Sequence, residues 1–307
     1  MSRAVMHETF GGPEVLELRE VPEPHAGAGE VRVRVSAVGL NPMDWILTSM
    51  PEVAKQFGIT LPSGFGTDFA GTVDEVGQGV SDFTVGDRVH GSATGRAAAD
   101  FVVVDPSGAD TLRRTPAEIG DQVACTLAVA GMTASAALAA ADVKAGDTVL
   151  VGGAAGGVGV FAVQLAKLAG ARVIGTASEG TFGFLRQFGA EPVVYGPGLE
   201  ARVREVAPDG VSAATDLFGT ETAEAALALG VPAERISTVA AGPNPPGGVR
   251  PTGGMNARPE DLKRITDAIV AGDITVPIAA TFPVEQIREA VRLQAGRHVH
   301  GKIVVNL

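Results

Sequence analysis

Apolar and polar positions follow two different rules along this chain, and the change falls near residue 120. Before it, the pattern is β-like. Residues 31–37 (VRVRVSA) alternate apolar and polar with a period of two, as a half-buried strand does. Residues 70–76 and 101–104 read as further strands. Gly11-Gly12-Pro13, Pro22 to Pro24, Gly77 to Gly79 and Gly86-Asp87 punctuate them as turns. Residues 40–50 hold Asn41-Pro42, a turn or a helix start, and lead toward a short helical piece. Short strands with glycine punctuation predict a compact barrel.

Over residues 117–141 the pattern becomes helical, and from residue 148 strand and helix alternate. Strands are expected at 149–151, 172–176, 193–195, 214–218 and 236–240, and helices at 160–169, 182–189, 199–206 and 222–228. That order predicts a doubly wound α/β domain with a parallel sheet. Residues 243–254 read as loop. Residues 259–271 form an amphipathic pattern with Leu262, Ile265, Ile269 and Val270 on one side, and 284–295 another with Ile287, Val291 and Leu293. The last stretch, KIVVNL at 302–307, is a strand pattern.

The richest chemistry lies at residues 149–170, where a short apolar strand enters a glycine-rich turn and then a helix. Ala154, Gly156 and Gly159 take the three places of a G-x-G-x-x-G spacing, with strand before, helix after and a second strand close behind. A pyrophosphate needs bare backbone amides at a helix N-terminus, where N–H groups and the helix dipole both favour an anion. The second strand bears on which dinucleotide binds. NAD sites place Asp or Glu at its end, on the ribose 2′-hydroxyl; here Ala177 and Ser178 stand in that place. A small residue and a hydroxyl leave room for a 2′-phosphate and favour NADP(H). Glu179 works against this if it turns inward, and the nearest basic residue is Arg186.

Length and composition narrow the rest. The 307 residues suit two domains, and low aromatic content with abundant Ala, Gly and Val suits tightly packed sheet and helix. A net charge of −11 argues against nucleic acid or an anionic membrane as partner. The single cysteine, Cys125, rules out an internal disulfide or a cysteine-rich zinc site, and its apolar surroundings predict a buried thiol. Residues 1–10 hold His7 and Glu8 and no apolar core, and residues 123–141 are too weakly hydrophobic to span a membrane, so a cytoplasmic protein is expected.

Several motifs occur together and in order: FGGPEVLELREVPEP at 10–24, VGLNPMDW at 38–45, GTDFAGTVDEVGQGVSDFTVGDRVHG at 66–91, the glycine-rich stretch at 152–178, and HVHGKIVV at 298–305. They resemble the medium-chain dehydrogenase/reductase superfamily in its zinc-independent quinone oxidoreductase (zeta-crystallin-like) branch, over nearly the whole chain. The resemblance implies a discontinuous GroES-like β-barrel catalytic domain, residues 1–122 and 273–307, around a Rossmann dinucleotide-binding domain, residues 123–272. It also implies a nicotinamide held in the cleft between them and a homodimer formed through the nucleotide domain. Zinc members carry Gly-His-Glu where this chain reads Gly66-Thr67-Asp68, so no metal site is expected. A place lining the substrate cleft is weighed for His90.

The same resemblance suggests roles. Asn41 of the N-P-x-D motif would contact the nicotinamide ribose and donate to a developing enolate, with Asp44 as a structural acceptor. Trp45 stands where many relatives carry tyrosine near the substrate, and would stack on a planar acceptor or pack in the barrel. Thr133 would face the nicotinamide; Gly156, Gly157 and Val158 would form the pyrophosphate turn; Ser178 and Tyr195 would flank the 2′-phosphate. Phe218 and Ala240 would line the nucleotide cleft, Arg297 would reach the cofactor, and Lys302 would be a strand-edge charge. Gly180 replaces an arginine of many NADPH-using relatives. The activity implied is metal-free hydride transfer from NADPH to a quinone or α,β-unsaturated carbonyl. Two alternatives stay open: an enoyl reductase acting on an acyl thioester, for which Arg96 and Lys55 are the candidate basic residues, and a non-catalytic NADP(H)-binding module.

Overall fold

The computed structural model describes residues 1–242 and 244–307. Its N-terminal part holds eight strands: β1 (Ser2–His7), β2 (Glu17–Val21), β3 (Val31–Gly39), β4 (Ser63–Gly64), β5 (Asp68–Val76), β6 (Arg88–Ser92), β7 (Phe101–Val104) and β8 (Thr111–Arg114). Four helices, α1 (Pro42–Ser49), α2 (Pro51–Gln56), α3 (Asp121–Ala124) and α4 (Ala128–Ala140), complete that stretch. Then strand and helix alternate: β9 (Thr148–Gly152), α5 (Gly159–Leu168), β10 (Arg172–Ala177), α6 (Phe182–Gln187), β11 (Glu191–Val194), α7 (Leu199–Val206), β12 (Ala213–Asp216), α8 (Glu221–Ala228), β13 (Ile236–Thr238) and β14 (Arg250–Pro251). The chain closes with α9 (Asp261–Val270), β15 (Ile278–Pro283), α10 (Ile287–Ala295) and β16 (Lys302–Asn306).

Two compact units result: residues Met1–Val129 with Pro277–Leu307, and residues Ala130–Val276. The first division falls inside α4, against the 122/123 boundary expected from sequence, and the second at 276/277 against 272/273.

In the first unit β15, β16, β3, β5, β6 and β8 line up in that order, with β7 also on β3; a smaller sheet runs β2-β1-β4. The alternation at residues 31–37 has the expected outcome on one side: Val31, Val33 and Val35 are buried in the core with Phe69, Val73 and Ile303. The polar side departs from it. Arg32 is itself buried, because its guanidinium is neutralised by Asp74 at 2.9 Å and Glu23 at 3.0 Å and lies 4.6 Å over the Phe101 ring. β16 pairs antiparallel with β3, Val304 opposite Gly39, so the C-terminal strand completes the N-terminal sheet.

The second unit is a six-stranded parallel sheet in the order β11-β10-β9-β12-β13-β14. Leu150, Ile174, Val193, Leu199, Val203 and Ile236 centre one of its cores. Leu262 and Ile265 of α9 and Ile287 and Val291 of α10 are buried as their patterns predict, whereas Val270 and Leu293 are exposed at helix ends. The loop expected at 243–254 starts at Pro243, outside the described residues; over 244–254 the chain makes short turns and the two-residue β14.

Candidate active site

Strand β9 carries the buried run Val149, Leu150 and Val151 into Gly152, and the chain turns there before α5 begins. Gly153 takes a left-handed φ of 65°, and its N–H donates to Thr176 Oγ1 on β10 at 3.1 Å. The Gly156 N–H donates to the Gly153 carbonyl at 3.0 Å, and the Gly156 carbonyl accepts from Val160 at 3.0 Å. A Cβ on Gly159 would fall on the carbonyl oxygens of Gly153 and Ala154, so the turn closes only around bare backbone. Alanine in the first place of the spacing is matched across the sheet: a Cβ at Gly175 of β10 would lie 2.9 Å from that of Ala154. The Val160 and Ala162 N–H groups of the first turn of α5 are taken by the Gly156 and Val158 carbonyls, and the turn ahead of them meets the positive end of the helix dipole. The turn therefore fits a pyrophosphate.

β9 is the switch point of this sheet, with β10 and β11 to one side and β12, β13 and β14 to the other. Ligands of open parallel sheets bind outside the carboxyl ends of the strands at such a point. Gly156, Gly157 and Val158 follow β9, Ser178 follows β10, Tyr195 follows β11, Phe218 lies just past β12 and Ala240 just past β13. Five separate stretches of sequence thus reach one edge of one sheet. Tyr195 is 50% and Phe218 52% exposed there, and the Ser178 hydroxyl shares a 2.8 Å hydrogen bond with Thr181. Sequence reading overlooked Asp216, the last residue of β12. Its buried carboxylate accepts from the N–H groups of Phe218, Gly219, Thr222 and Ala223 at 2.8–3.2 Å, which shapes the turn bearing Phe218. An acid at a strand end just before a helix is the signal that could have found it.

The other expected residues lie elsewhere. Thr133 is buried on α4 of the second unit. Arg297 belongs to the first unit, on the exposed turn between α10 and β16, with a left-handed φ of 57°. Trp45, on α1, packs against the barrel core, and its indole N–H is buried without a hydrogen-bond partner among the described residues. His90 is wholly buried; its Nδ1 lies 3.0 Å from Thr115 Oγ1, and burial pushes its pKa down to about 4, so it is neutral and does not line an open cleft. Cys125 is buried, and burial raises its thiol pKa above the ordinary range.

Asn41 and Lys302 differ from expectation, and together they form a buried polar cluster in the first unit. Asn41 caps α1, and the Asp44 carboxylate reaches back to the Asn41 N–H at 2.7 Å while also accepting from Thr67 Oγ1 at 2.7 Å. The Asn41 side-chain amide donates to Gly39 O at 3.2 Å and Asp68 Oδ2 at 3.0 Å, and its oxygen accepts from Lys302 Nζ at 2.6 Å. Both amide hydrogens are thereby engaged inside the protein, which corrects the expectation that this side chain donates to an enolate. Lys302 is likewise no strand-edge charge: it is 2% exposed, and its ammonium also donates to Leu40 O at 2.9 Å. Burial pushes the Asp68 carboxyl up to about 7 and Asp44 up to about 6, with Lys302 pulling both back. Burial lowers the Lys302 pKa, opposed by Asp68 and Asp44.

This is also where zinc-dependent relatives carry metal ligands, and the donor set does not fit a metal. Thr67 stands in place of an imidazole, and a lysine ammonium interacts with both nearby carboxylates. Among the described residues, no three His, Cys, Asp or Glu side chains gather in an arrangement that would hold a metal ion.

Barrel, parallel sheet and glycine turn together define a dinucleotide-binding oxidoreductase. Comparison with known proteins gives the family. Residues 27–188 match the alcohol dehydrogenase GroES-like domain, and residues 157–266 the zinc-binding dehydrogenase family. A quinone oxidoreductase of Pseudomonas aeruginosa is 33% identical over 99% of this chain and 99% of its own. Among solved structures, a mycobacterial protein complexed with NADPH is 30% identical over 100% of both chains with a TM-score of 0.86. The CurK enoyl reductase is 26% identical over 99% of both, with a TM-score of 0.88. The chain belongs to the medium-chain dehydrogenase/reductase superfamily, in its quinone oxidoreductase-like branch, and it is an oxidoreductase.

Proposed function

We propose that the protein uses NADPH to reduce a quinone or an α,β-unsaturated carbonyl by direct hydride transfer. One observation carries this reading: the bare-backbone turn at the sheet's switch point is followed, at the end of β10, by the Ser178 hydroxyl instead of a carboxylate. Gly156, Gly157 and Val158 hold the pyrophosphate, Ser178 and Tyr195 the 2′-phosphate, Thr133 faces the nicotinamide half, Phe218 and Ala240 line the nucleotide cleft, and Arg297 is a further basic contact to the cofactor. When bound, the reduced nicotinamide supplies a hydride to an electron-poor carbon of the acceptor. Trp45, which packs against the barrel core, and Asn41, which anchors the first turn of α1, are the first unit's candidate residues for the reaction. The sole tyrosine, Tyr195, follows β11 at the nucleotide edge, so water delivers the proton to the reduced oxygen. The protein acts in the cytoplasm as a homodimer joined through the nucleotide domain.

Likeness to an enoyl reductase favours a second reading, reduction of an acyl thioester. A panel of quinones, free 2-enones and enoyl thioesters, each run with NADPH and with NADH, separates the two. The expected result is turnover of quinones or free enones with NADPH at least tenfold more efficient than NADH. Faster turnover of the thioester than of the matching free enone would move the assignment to the second reading. No turnover of any acceptor would leave only a cofactor-binding module.

A further inference from the structure

The turn after β11 is held by one side chain. The Arg202 guanidinium, from the first turn of α7, donates from Nε to Val194 O at 2.9 Å and from Nη1 to Pro197 O at 2.9 Å. Its Nη2 donates to Tyr195 O at 3.1 Å and to Gly196 O at 2.8 Å. Four consecutive carbonyls thus converge on one planar cation, whose fork of donors suits such a spread. Among the described residues every hydrogen bond of this guanidinium goes to that turn, and it pairs with no carboxylate.

This lock does not serve a core. Tyr195, Pro197 and Gly198 are exposed, and Val194 and Gly196 are half-buried. The turn carries two left-handed glycines, Gly196 and Gly198, with φ of 93° and 81°, so it has much conformational freedom to lose. What the guanidinium secures is the shape of an exposed turn. The ladder shows what that turn presents. β10 and β11 run parallel with Ala177 opposite Val194, so the next residue of each, Ser178 and Tyr195, leaves the sheet side by side at its carboxyl edge. Open parallel sheets bind ligands at that edge. After β10 the first basic residue is Arg186, so a hydroxyl and a phenol are what these two strand ends offer a phosphate.

We propose that Arg202 is a positioning residue for cofactor choice: by pinning the carbonyls of residues 194–197 it fixes Tyr195 beside Ser178, where the phenol donates to the 2′-phosphate of NADPH. This rests on the reading that Ser178 and Tyr195 hold the 2′-phosphate. Arg202 does not touch the cofactor in this role; it acts through Tyr195.

Calorimetric titration of the full chain with NADPH and with NADH tests it, because a damaged fold weakens both, whereas a displaced Tyr195 weakens only NADPH. Arg202→Met should weaken NADPH about tenfold, the loss of one hydrogen bond to a charged group, and leave NADH within about threefold of wild type. In a Tyr195→Phe background the same substitution should cost less than about twofold in NADPH affinity, since both changes remove one contact. Arg202→Lys keeps the cation on a single nitrogen that cannot span four carbonyls, so it should lose the preference as Arg202→Met does. It also gives the comparison should the methionine variant not fold. An Arg202→Met protein that keeps the wild-type preference for NADPH would overturn the proposal. So would a loss just as large in the Tyr195→Phe background, or full rescue by lysine, which would leave charge alone at work. A wild type that binds NADPH and NADH equally would overturn the 2′-phosphate reading itself, and the proposal with it.

Discussion

Asp68 shows how far a single residue can depart from its sequence appearance. In the sequence it is one acid in a GTDF stretch; in the fold it is completely buried, accepting from Asn41 and from the Val129 N–H at 3.0 Å. Burial raises its pKa from 3.8 to about 7, and that of Asp44 to about 6. Folding therefore makes Asp68 take up a proton that the unfolded chain holds only at much lower pH. Stability from such a group is fully present below the unfolded value and is lost as pH rises through the folded one. Wild type should accordingly gain stability relative to Asp68→Asn as pH falls from 8 to 5, read as the difference in melting temperature at each pH. Parallel curves, or a gain in the opposite direction, would contradict the assignment. None of this was legible beforehand, because the burial of Asp68 depends on contacts with residues far away in the chain. The same holds for Lys302, which sequence alone places at a strand edge. By contrast, the capping pair Asn41 and Asp44 was readable, since their spacing and Pro42 are local signals.

At the scale of elements, β9, the glycine turn, α5 and β10 were the most legible part of the chain. Apolar run, glycines and helix period all agree there, and the observed strands Thr148–Gly152 and Arg172–Ala177 differ from expectation only at their ends. The turn works only if Gly159 has no side chain. Gly159→Ala should place a methyl on the Gly153 and Ala154 carbonyls, cost about 1–3 kcal/mol in denaturant unfolding, and weaken NADPH binding at least tenfold. Wild-type affinity in that variant would show that the turn does not hold the cofactor. The elements that went unread are β1, β2, β4, β6, β8, β14, β15 and α2. β2 (ELREV) is a largely charged edge strand, and β15 (IAATFP) alternates between half-buried and exposed positions, so neither shows a clear apolar face. Their strand character comes from pairing with β1 and β16, which no local pattern reveals.

Across the whole molecule, the chain leaves its N-terminal barrel at α4, builds a complete parallel sheet, and returns to lay β16 beside β3 and β15 beside β16. That return joins Lys302 to Asn41 across 261 positions of sequence. A period-based reading finds both units but not this closure, which came from resemblance alone. The central chemical proposal is that a hydride passes directly from the nicotinamide to the acceptor without a metal. Its most direct test uses NADPH deuterated at the transferring C4 position, with the metal content of the enzyme recorded, and product analysis by mass spectrometry after turnover with a 2-enone in ordinary water. The account predicts one deuterium on the β-carbon of the saturated product, from protein free of stoichiometric zinc. Product without deuterium at that carbon, or activity that tracks bound zinc, would contradict it.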